Sequence, residues 1–505
     1  MGGACSRKRD QQDNEDNLVR GVSGKYCKSG SSKWLATSFS RPSMDIQLGR
    51  GNCPSLMDLC VQKIREDVDR YRAFSMLPGD ISQQIFNELV YSQRLTDVHL
   101  EAFRDCALQD IYLGEYPGVN DSWMGVISSQ GPSLLSVDLS GSEVTDTGLL
   151  HLRDCSNLQS LCFNCCDQIS DRGLERISGF SSLTSLSFRR NNAITAKGMS
   201  AFAVLVNLVK LDLERCLEIH GGLVHLKALS ALLYLNLNRC NLSDDGCEKF
   251  SQFGNLKVLN LGFNDITDAC LVHLKGLTNL ESLNLDSCGI GDEGLVNLTG
   301  LRHLKCLELS DTGVGSNGLR HLSGLTNLES LNLSFTVVTD GGLRKLSGLL
   351  SLKSLNLDAR HITDTGLAAL TSLTGLTHLD LFGARITDAG TNHLRNFKNL
   401  RSLEICGGGL TDTGVKNIKD LSFLKLLNLS QNSNLTDKTL ELVSGLTGLV
   451  SLNVSNSRIT SAGLRHLKTL KNLKSLTLEA CKVTANDIKK LQSTDLPNLV
   501  TFRPE

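Results

Sequence analysis

Residues 276–298, GLTNLESLNLDSCGIGDEGLVNL, carry one complete copy of the pattern from which the fold of this chain follows. Leu283 and Leu285 alternate with polar residues, which is the period of a short β-strand with one buried face. The Gly-Leu-x-x-Leu run at 294–298 supplies the apolar stripe of a short helix. Other copies place residues that cap helix N-termini before this run, such as Thr267 and Asp268. One unit cannot bury both faces by itself, so the pattern predicts stacking of several units.

The unit recurs along most of the chain. Successive copies are 24 or 25 residues apart, and an irregular pair, Ile111 and Leu113, precedes the first copy by 26 residues. Because each copy must bury its faces against its neighbours, we expect the strands to lie side by side and parallel. The first apolar residue of each strand falls at 137, 161, 186, 211, 235, 259, 283, 307, 331, 355, 379, 403, 427, 452, 476 and 500.

A turn follows each strand, and one position of this turn is repeatedly cysteine, asparagine or threonine, which supports a family resemblance. With a 24-residue step and such turn residues, residues 137–500 resemble the leucine-rich-repeat family in its cysteine-containing form. The resemblance implies an α/β solenoid, a horseshoe whose parallel strands line the concave face, behind an N-terminal helical cap. It implies no chemistry. The turn position holds Cys166, Asn191, Cys216, Cys240, Asn264, Cys288, Thr312 and Thr336.

Composition excludes several classes of protein. The chain has 505 residues and a formal net charge of −1, whereas nucleic-acid-binding proteins are usually strongly basic, so we expect no nucleic-acid partner. No apolar run approaches the ~18 residues of a membrane span, and the chain does not open with the apolar stretch of a secretory signal. We therefore expect an intracellular protein. Its 17 cysteines, an odd number, are interpreted as small buried hydrophobes and free thiols.

The sequence divides into three parts. Residues 1–50 are rich in serine, glycine and charge without a hydrophobic pattern, which is typical of a disordered tail. Residues 51–95 are predicted to be a helical segment, and residues 96–505 to be the repeat domain. No proline interrupts residues 133–496, as expected when one regular unit is repeated.

The chain carries no catalytic signature, so we predict that it is not an enzyme and that it has no cofactor and no metal site. Cys162 and Cys165 have a spacing that could hold zinc. A structural zinc site needs four ligands, however, and no second pair follows at finger spacing. A metal or redox role for this pair stays the weaker interpretation.

The concave face is the predicted site of function because it is large, rigid and diverse in side chains. The position between the two leucines of each strand is polar to acidic, with no lysine or arginine. Arginine and aromatic residues, which are enriched at interface hot spots, are expected to project beside it. The predicted partner-binding residues are Arg189, Arg190, Arg215, Arg239 and Phe263, and further along the face Phe335, His378 and Phe382.

The chain begins with a lipidation pattern. Met1-Gly2-Gly3-Ala4-Cys5-Ser6 matches the myristoylation signal, with Gly2 as the acceptor and Cys5 as a candidate for palmitoylation. One acyl chain binds membranes only marginally, so a second signal is required, and Cys5 and the basic run at 7–9 are candidates for it. We expect a tether to the cytoplasmic face of a membrane.

Two short segments precede the repeats. The first, at 55–64, places Leu56, Cys60 and Ile64 on one helical face, and it resembles the box by which some ubiquitin-ligase receptors dock an elongin-C-type adaptor. The second, at 77–89, is similar to the first half of an F-box and to the cullin-contacting box that follows an elongin box. Its predicted adaptor-binding residues are Leu77, Pro78, Ile81 and Ile85.

The two segments imply one role. Ahead of leucine-rich repeats they resemble F-box/leucine-rich-repeat proteins, in which a Skp-type or elongin-C-type adaptor and a cullin bind the helices while the repeats capture a protein target. The function implied is the substrate-recognition subunit of a membrane-tethered cullin-RING ubiquitin ligase. The second half of an F-box is not visible, and residues 55–95 can equally cap the open end of the solenoid. The alternative is a membrane-tethered scaffold or signalling adaptor without a ligase role.

Overall fold

The computed structural model describes residues 54–358 and 360–503, and for 501–503 it describes the backbone only. Seventeen short strands form one sheet, in which each strand pairs in parallel with the strands of the preceding and following repeats. The strands are β1 Asp110–Tyr112, β2 Ser136–Asp138, β3 Ser160–Cys162, β4 Ser185–Ser187, β5 Lys210–Asp212, β6 Tyr234–Asn236, β7 Val258–Asn260, β8 Ser282–Asn284, β9 Cys306–Glu308, β10 Ser330–Asn332, β11 Ser354–Asn356, β12 His378–Asp380, β13 Ser402–Glu404, β14 Leu426–Asn428, β15 Ser451–Asn453, β16 Ser475–Thr477 and β17 Thr501–Arg503.

Each return segment between strands is short, and it contains an α-helix, a 3₁₀-helix or both. A 24-residue unit leaves few residues for this segment, and 3₁₀ turns are used in such short pieces. The α-helices are α1 Leu56–Glu66, α2 Gly79–Tyr91, α3 Asp97–Glu101, α4 Met124–Ser128, α5 Asp171–Ile177, α6 Asp268–Leu271, α7 Asp340–Leu343, α8 Asp364–Ala369, α9 Asp412–Val415, α10 Asp437–Val443 and α11 Ala485–Thr494. The 3₁₀-helices are Val68–Arg70, Asp121–Trp123, Gly131–Ser133, Gly148–Asp154, Gly198–Val204, Gly222–Ala228, Cys247–Gln252, Gly294–Leu298, Gly318–His321, Arg344–Leu346, Gly390–Asn396 and Ser461–Thr469.

The core is a continuous column of leucines between the strands and the return segments. Leu283 and Leu285 are both fully buried, as the alternation predicts, and the equivalent residues of the other repeats share one apolar cluster with them. The α/β solenoid with parallel strands on its concave face is therefore confirmed.

The register of the last repeat differs from the sequence interpretation. Phe502, not the residue at position 500, lies opposite Leu476, and Val500 is 76% exposed. Helix α11 has 10 residues and is longer than the other return helices of the repeats. This length moves the final strand along the chain, so the regular step assigned Val500 wrongly.

The two residues of a Thr-Asp pair have separate roles, as Thr267 and Asp268 show. Thr267 caps α6, because its side chain accepts a hydrogen bond from the Ala269 N–H. Asp268 instead bridges to the next repeat, where its Oδ1 accepts from the Gly291 N–H at 2.8 Å. A Cβ at Gly294 would lie 2.2 Å from Asp268 Oδ1, which explains the glycine of the Gly-Leu pair.

Helices α1 to α3 cover the first end of the sheet. Ile85, Phe86 and Leu89 of α2 are fully buried in the same core as the repeats. Gln83 bonds the open edge of β1: its Nε2 donates to the Asp110 carbonyl at 2.6 Å, and its Oε1 accepts from the Asp110 N–H at 3.1 Å. The helices therefore act as a cap that protects an edge strand. Within the described residues, no helix has the length and apolar character needed to cross a membrane.

Candidate functional site

The concave face presents a column of residues that share an unusual backbone conformation. One residue in nearly every described repeat, three positions after the end of the strand, has a positive φ, for example 59° at Arg190 and 60° at Arg215. This turn follows each of the paired strands β4 to β7, so equivalent positions are occupied by Arg190, Arg215, Arg239 and Phe263. We call these four residues the arginine–phenylalanine rim.

Arg189, the fifth predicted residue of this group, is part of the protein's own ion pairs. Its guanidinium contacts the carboxylate of Glu214, and its Nε lies 3.9 Å from Oδ1 of Asp212. Asp212 is 2% exposed, so Arg189 neutralises a buried carboxylate on the neighbouring strand. The structure therefore separates Arg189 from the rim.

The rim arginines have no such partner among the described residues. Arg215 Nε is buried and has no hydrogen-bond partner. Arg239 stacks over Phe263, with Cζ 4.0 Å from the ring centroid. Partial burial and the neighbouring Arg215 both lower the pKa of Arg239. The rim is thus a positively charged surface whose cations repel each other, with Phe263 40% exposed beside them. An anionic group between the two guanidiniums would relieve that repulsion.

The remaining predicted residues lie on later repeats and are not brought together with the rim. Phe335 occupies the positive-φ position after β10 and is 66% exposed. His378 begins β12, where its Nδ1 lies 2.9 Å from Thr377 Oγ1. Phe382 is half-buried beyond the same strand.

Two buried acids lie between these groups, and the sequence did not reveal that they are buried. Glu308 of β9 is fully buried, and its Oε2 has no hydrogen-bond partner in the described part of the chain. Burial and the neighbouring Asp286 raise the pKa of Glu308 to about 7. Burial raises the pKa of Asp286 to about 6. Only the acidic character of this column could be predicted from sequence, because burial depends on neighbouring repeats.

Glu308 is expected to make stability depend on pH. Its pKa is higher in the folded chain than the ordinary value of 4.5, so the folded state binds more protons between about pH 4.5 and 7. Stability should fall as pH rises through this window, by about 3 kcal/mol at most. Glu308→Gln should raise the denaturation midpoint near pH 7 and flatten its pH dependence. The exposed Glu293→Gln is the control, and an unchanged pH dependence in Glu308→Gln would contradict the assignment.

Some of the predicted adaptor-binding residues of the first segment are exposed, and one packs against the core. Every residue from Pro54 to Cys60 is exposed, including Leu56 at 78%, while Ile64 packs against the core. The N-terminal half of α1 therefore presents apolar side chains to solvent.

The residues of the second segment are divided in the same way. Leu77 is 36% exposed and Pro78 is exposed, whereas Ile81 is partly buried against the core and Ile85 is fully buried. Ile85 thus stabilises the cap and is not on the surface. Pro78 is the N-cap of α2, which begins at Gly79.

The other sequence candidates do not form a site. Cys162 is buried, and its burial raises its pKa to about 12, whereas Cys165 is exposed at a positive-φ position. The two side chains therefore sit in different environments, as expected for a strand residue and a turn residue. Gly2 and Cys5 lie outside the described residues.

Comparison with known proteins agrees with this architecture. Among curated proteins, none matches the chain by sequence. A family model described as Leucine Rich repeat matches eight segments, at residues 154–178, 181–203, 229–251, 255–271, 276–298, 300–323, 324–347 and 373–390.

Solved structures are similar to this chain at low sequence identity. A leucine-rich-repeat protein of Leptospira interrogans aligns with a TM-score of 0.53 and 21% identity, over 75% of this chain and 91% of that chain. An internalin of Listeria monocytogenes aligns with a TM-score of 0.46 and 22% identity, over 74% and 88%. A plant peptide hormone receptor, solved in complex with RGF2, aligns with a TM-score of 0.40 and 15% identity, over 81% of each chain.

The repeats and the sheet define the fold of this chain as a leucine-rich-repeat solenoid. The matched segments are similar to the Leucine Rich repeat family.

Proposed function

We propose that this protein is the substrate-recognition subunit of a cullin-RING ubiquitin ligase, in which the concave face binds a protein target and the N-terminal helices bind an adaptor. The observation that carries the proposal is the exposed apolar surface at the cap. Leu56, Leu59 and Met76 are 78%, 46% and 93% exposed, on or beside helices that otherwise pack into the core. Leu56 and Leu59 lie three residues apart on α1, so they are neighbours on one helical face, and contiguous exposed apolar groups mark a protein-interaction surface.

The mechanism is positioning and needs no catalytic residue in this chain. The rim holds a target, the cap surface holds an adaptor and cullin, and the rigid solenoid between them fixes the distance. Tethering the target to the ligase raises its effective concentration at the transfer site.

The target-binding part of the proposal assigns the rim to an acidic segment of the partner. Arg190 and Arg239 are exposed, and Arg215 has an unpartnered nitrogen. Carboxylates form charge-assisted pairs with guanidinium groups, and Phe263 adds apolar contact area beside them.

A second function is favoured by a different observation. Ile85, Phe86 and Leu89, on the apolar face of the box-like helix, are fully buried and so cap the solenoid. If capping is the whole role of residues 55–95, the protein is a scaffold without a ligase link.

The test is affinity purification with mass spectrometry of the wild-type chain and a Leu56→Asp/Leu77→Asp variant. We expect an adaptor and a cullin with the wild type, and at least a tenfold loss in the variant. The matched control is Leu150→Asp/Leu350→Asp, which changes two leucines that are 47% and 65% exposed elsewhere. Absence of any cullin from the wild-type sample would support the scaffold instead.

Membrane tethering is a separate part of the proposal and rests on the sequence pattern at Gly2 and Cys5. Fractionation of cells that express Gly2→Ala should move the chain out of the membrane fraction, because a myristoyl group cannot be attached. A Gly2→Ala chain that stays in the membrane fraction would refute the anchor and leave the adaptor result unaffected.

A further inference from the structure

Two adjacent repeats depart from the common pattern at positions that face each other. Elsewhere, the leucine of one Gly-Leu pair packs against the glycine of the next: a Cβ at Gly318 would lie 3.0 Å from Leu295 Cδ1, and one at Gly366 would lie 3.0 Å from Leu343 Cδ1. Cys247 replaces such a leucine, and Cys270 replaces the glycine of the following repeat. The smaller Cys247 leaves room for the side chain of Cys270, so the two changes compensate each other.

The carboxylate of Asp244 lies beside the two thiols. The thiol sulfurs of Cys247 and Cys270 and a carboxylate oxygen of Asp244 all lie within 4.8 Å of one another. No other group of three or more histidine, cysteine or acidic side chains in the described part of the chain meets this geometry. Both thiols are buried, at 1% and 0% exposed, and Asp244 is half-buried.

Asp244 is already held in place by the next repeat. Its Oδ1 accepts from the Thr267 N–H at 2.8 Å, and its Oδ2 accepts from Thr267 Oγ1 at 2.6 Å. A carboxylate has about four lone-pair sites, so these two bonds orient the group and leave acceptor positions unused. The same bonds join an aspartate and a threonine in other repeats, for example Asp364 and Thr387, so they fix the orientation of Asp244 whether or not a metal is bound.

We propose that Asp244, Cys247 and Cys270 bind one thiophilic divalent cation of the zinc group, with water as the fourth ligand on the half-buried side of Asp244. Two thiolates and a carboxylate suit Zn²⁺ or Cd²⁺, and three protein ligands leave one position of the tetrahedron open. On binding, each cysteine forms a sulfur–metal bond and releases its proton to solvent, with no change in oxidation state. These two cysteines are a full repeat apart and form no local motif, so the sequence pattern did not predict a metal site here.

The proposal is tested on the full-length, reduced protein by titration with Cd²⁺, which gives an ultraviolet thiolate-to-metal band, and by Zn²⁺ competition against a chromogenic chelator. We expect the wild-type chain to bind one equivalent of Cd²⁺ tightly. Cys247→Leu/Cys270→Gly should lose that equivalent and remain folded, because it restores the residues found in other repeats. The matched control is Cys216→Thr/Cys288→Thr, which removes two buried thiols at turn positions where Thr312 and Thr336 stand in other repeats.

A milder variant keeps the test decisive if the double variant is unstable. Asp244→Asn preserves the size of the side chain, and it should weaken Cd²⁺ binding by at least about tenfold. Retention of the tight equivalent in Cys247→Leu/Cys270→Gly would overturn the proposal. Loss of the tight equivalent in the control variant Cys216→Thr/Cys288→Thr would also overturn the proposal. A wild-type chain that binds no Cd²⁺ would overturn it as well.

Discussion

Replacing Arg215 and Arg239 by glutamate should reduce recovery of the concave-face partner by about 100-fold or more. Both guanidiniums lie on the rim without an internal ion pair in the described residues, and one stacks on Phe263. Interface arginines of this kind contribute about 2 kcal/mol or more each, and 1.4 kcal/mol corresponds to a factor of ten. Reversal also adds repulsion against the acidic partner segment. The measurement is quantitative mass spectrometry of proteins co-purified with each variant.

The control for this prediction makes the same change in net charge on the outer surface. Arg153 and Arg344 are exposed on the 3₁₀-helices of two return segments, away from the strands. Arg153→Glu/Arg344→Glu should leave the partner bound. Equal losses in both double variants would show a general charge effect, and no loss in either would remove the rim from the interface.

Asn264→Ala should destabilise the solenoid by about 3–5 kcal/mol. Asn264 is 2% exposed and its amide joins two repeats. Its Oδ1 accepts from the N–H groups of Cys240 and Leu242, both at 3.0 Å, and its Nδ2 donates to the carbonyls of Leu237 and Leu261, both at 2.8 Å. Alanine leaves these buried backbone groups unsatisfied, at a cost of about 1–3 kcal/mol for each group that water cannot reach. The change is measured by denaturant unfolding and by hydrogen exchange at the two amides.

Asn255→Ala is the matched control for that substitution. Asn255 is exposed and makes one bond between repeats, from Nδ2 to the Ser230 carbonyl at 3.0 Å. Water can replace this bond, so the expected loss is about 1 kcal/mol or less. A similar loss in both variants would show that the turn asparagine has no special structural role.

The repeat, its strands and the direction of each side chain follow from local patterns. The alternation around Leu283 and Leu285 predicts which face is buried, and the regular step predicts parallel stacking. These features depend on residues within one unit, which is why they were confirmed. The exception is Val500, where a longer helix shifts the last strand by two residues.

Whether a candidate functional side chain is exposed, buried or ion-paired depends instead on residues one repeat away. Arg189 and Arg190 are neighbours in the chain, yet only Arg189 reaches the acids of the next strand. Whether an apolar residue of the segment 77–89 is exposed, like Leu77, or buried, like Ile85, depends on how the cap meets the first repeat.

The period and composition of one unit are sufficient to define the leucine-rich-repeat fold, because each unit meets copies of itself. The charges on the concave face and the thiols of Cys247 and Cys270 acquire their environment only when the units stack. Stacking brings together side chains that are 23 to 25 residues apart in sequence. The energies of burial and ion pairing that set their chemistry are properties of those contacts.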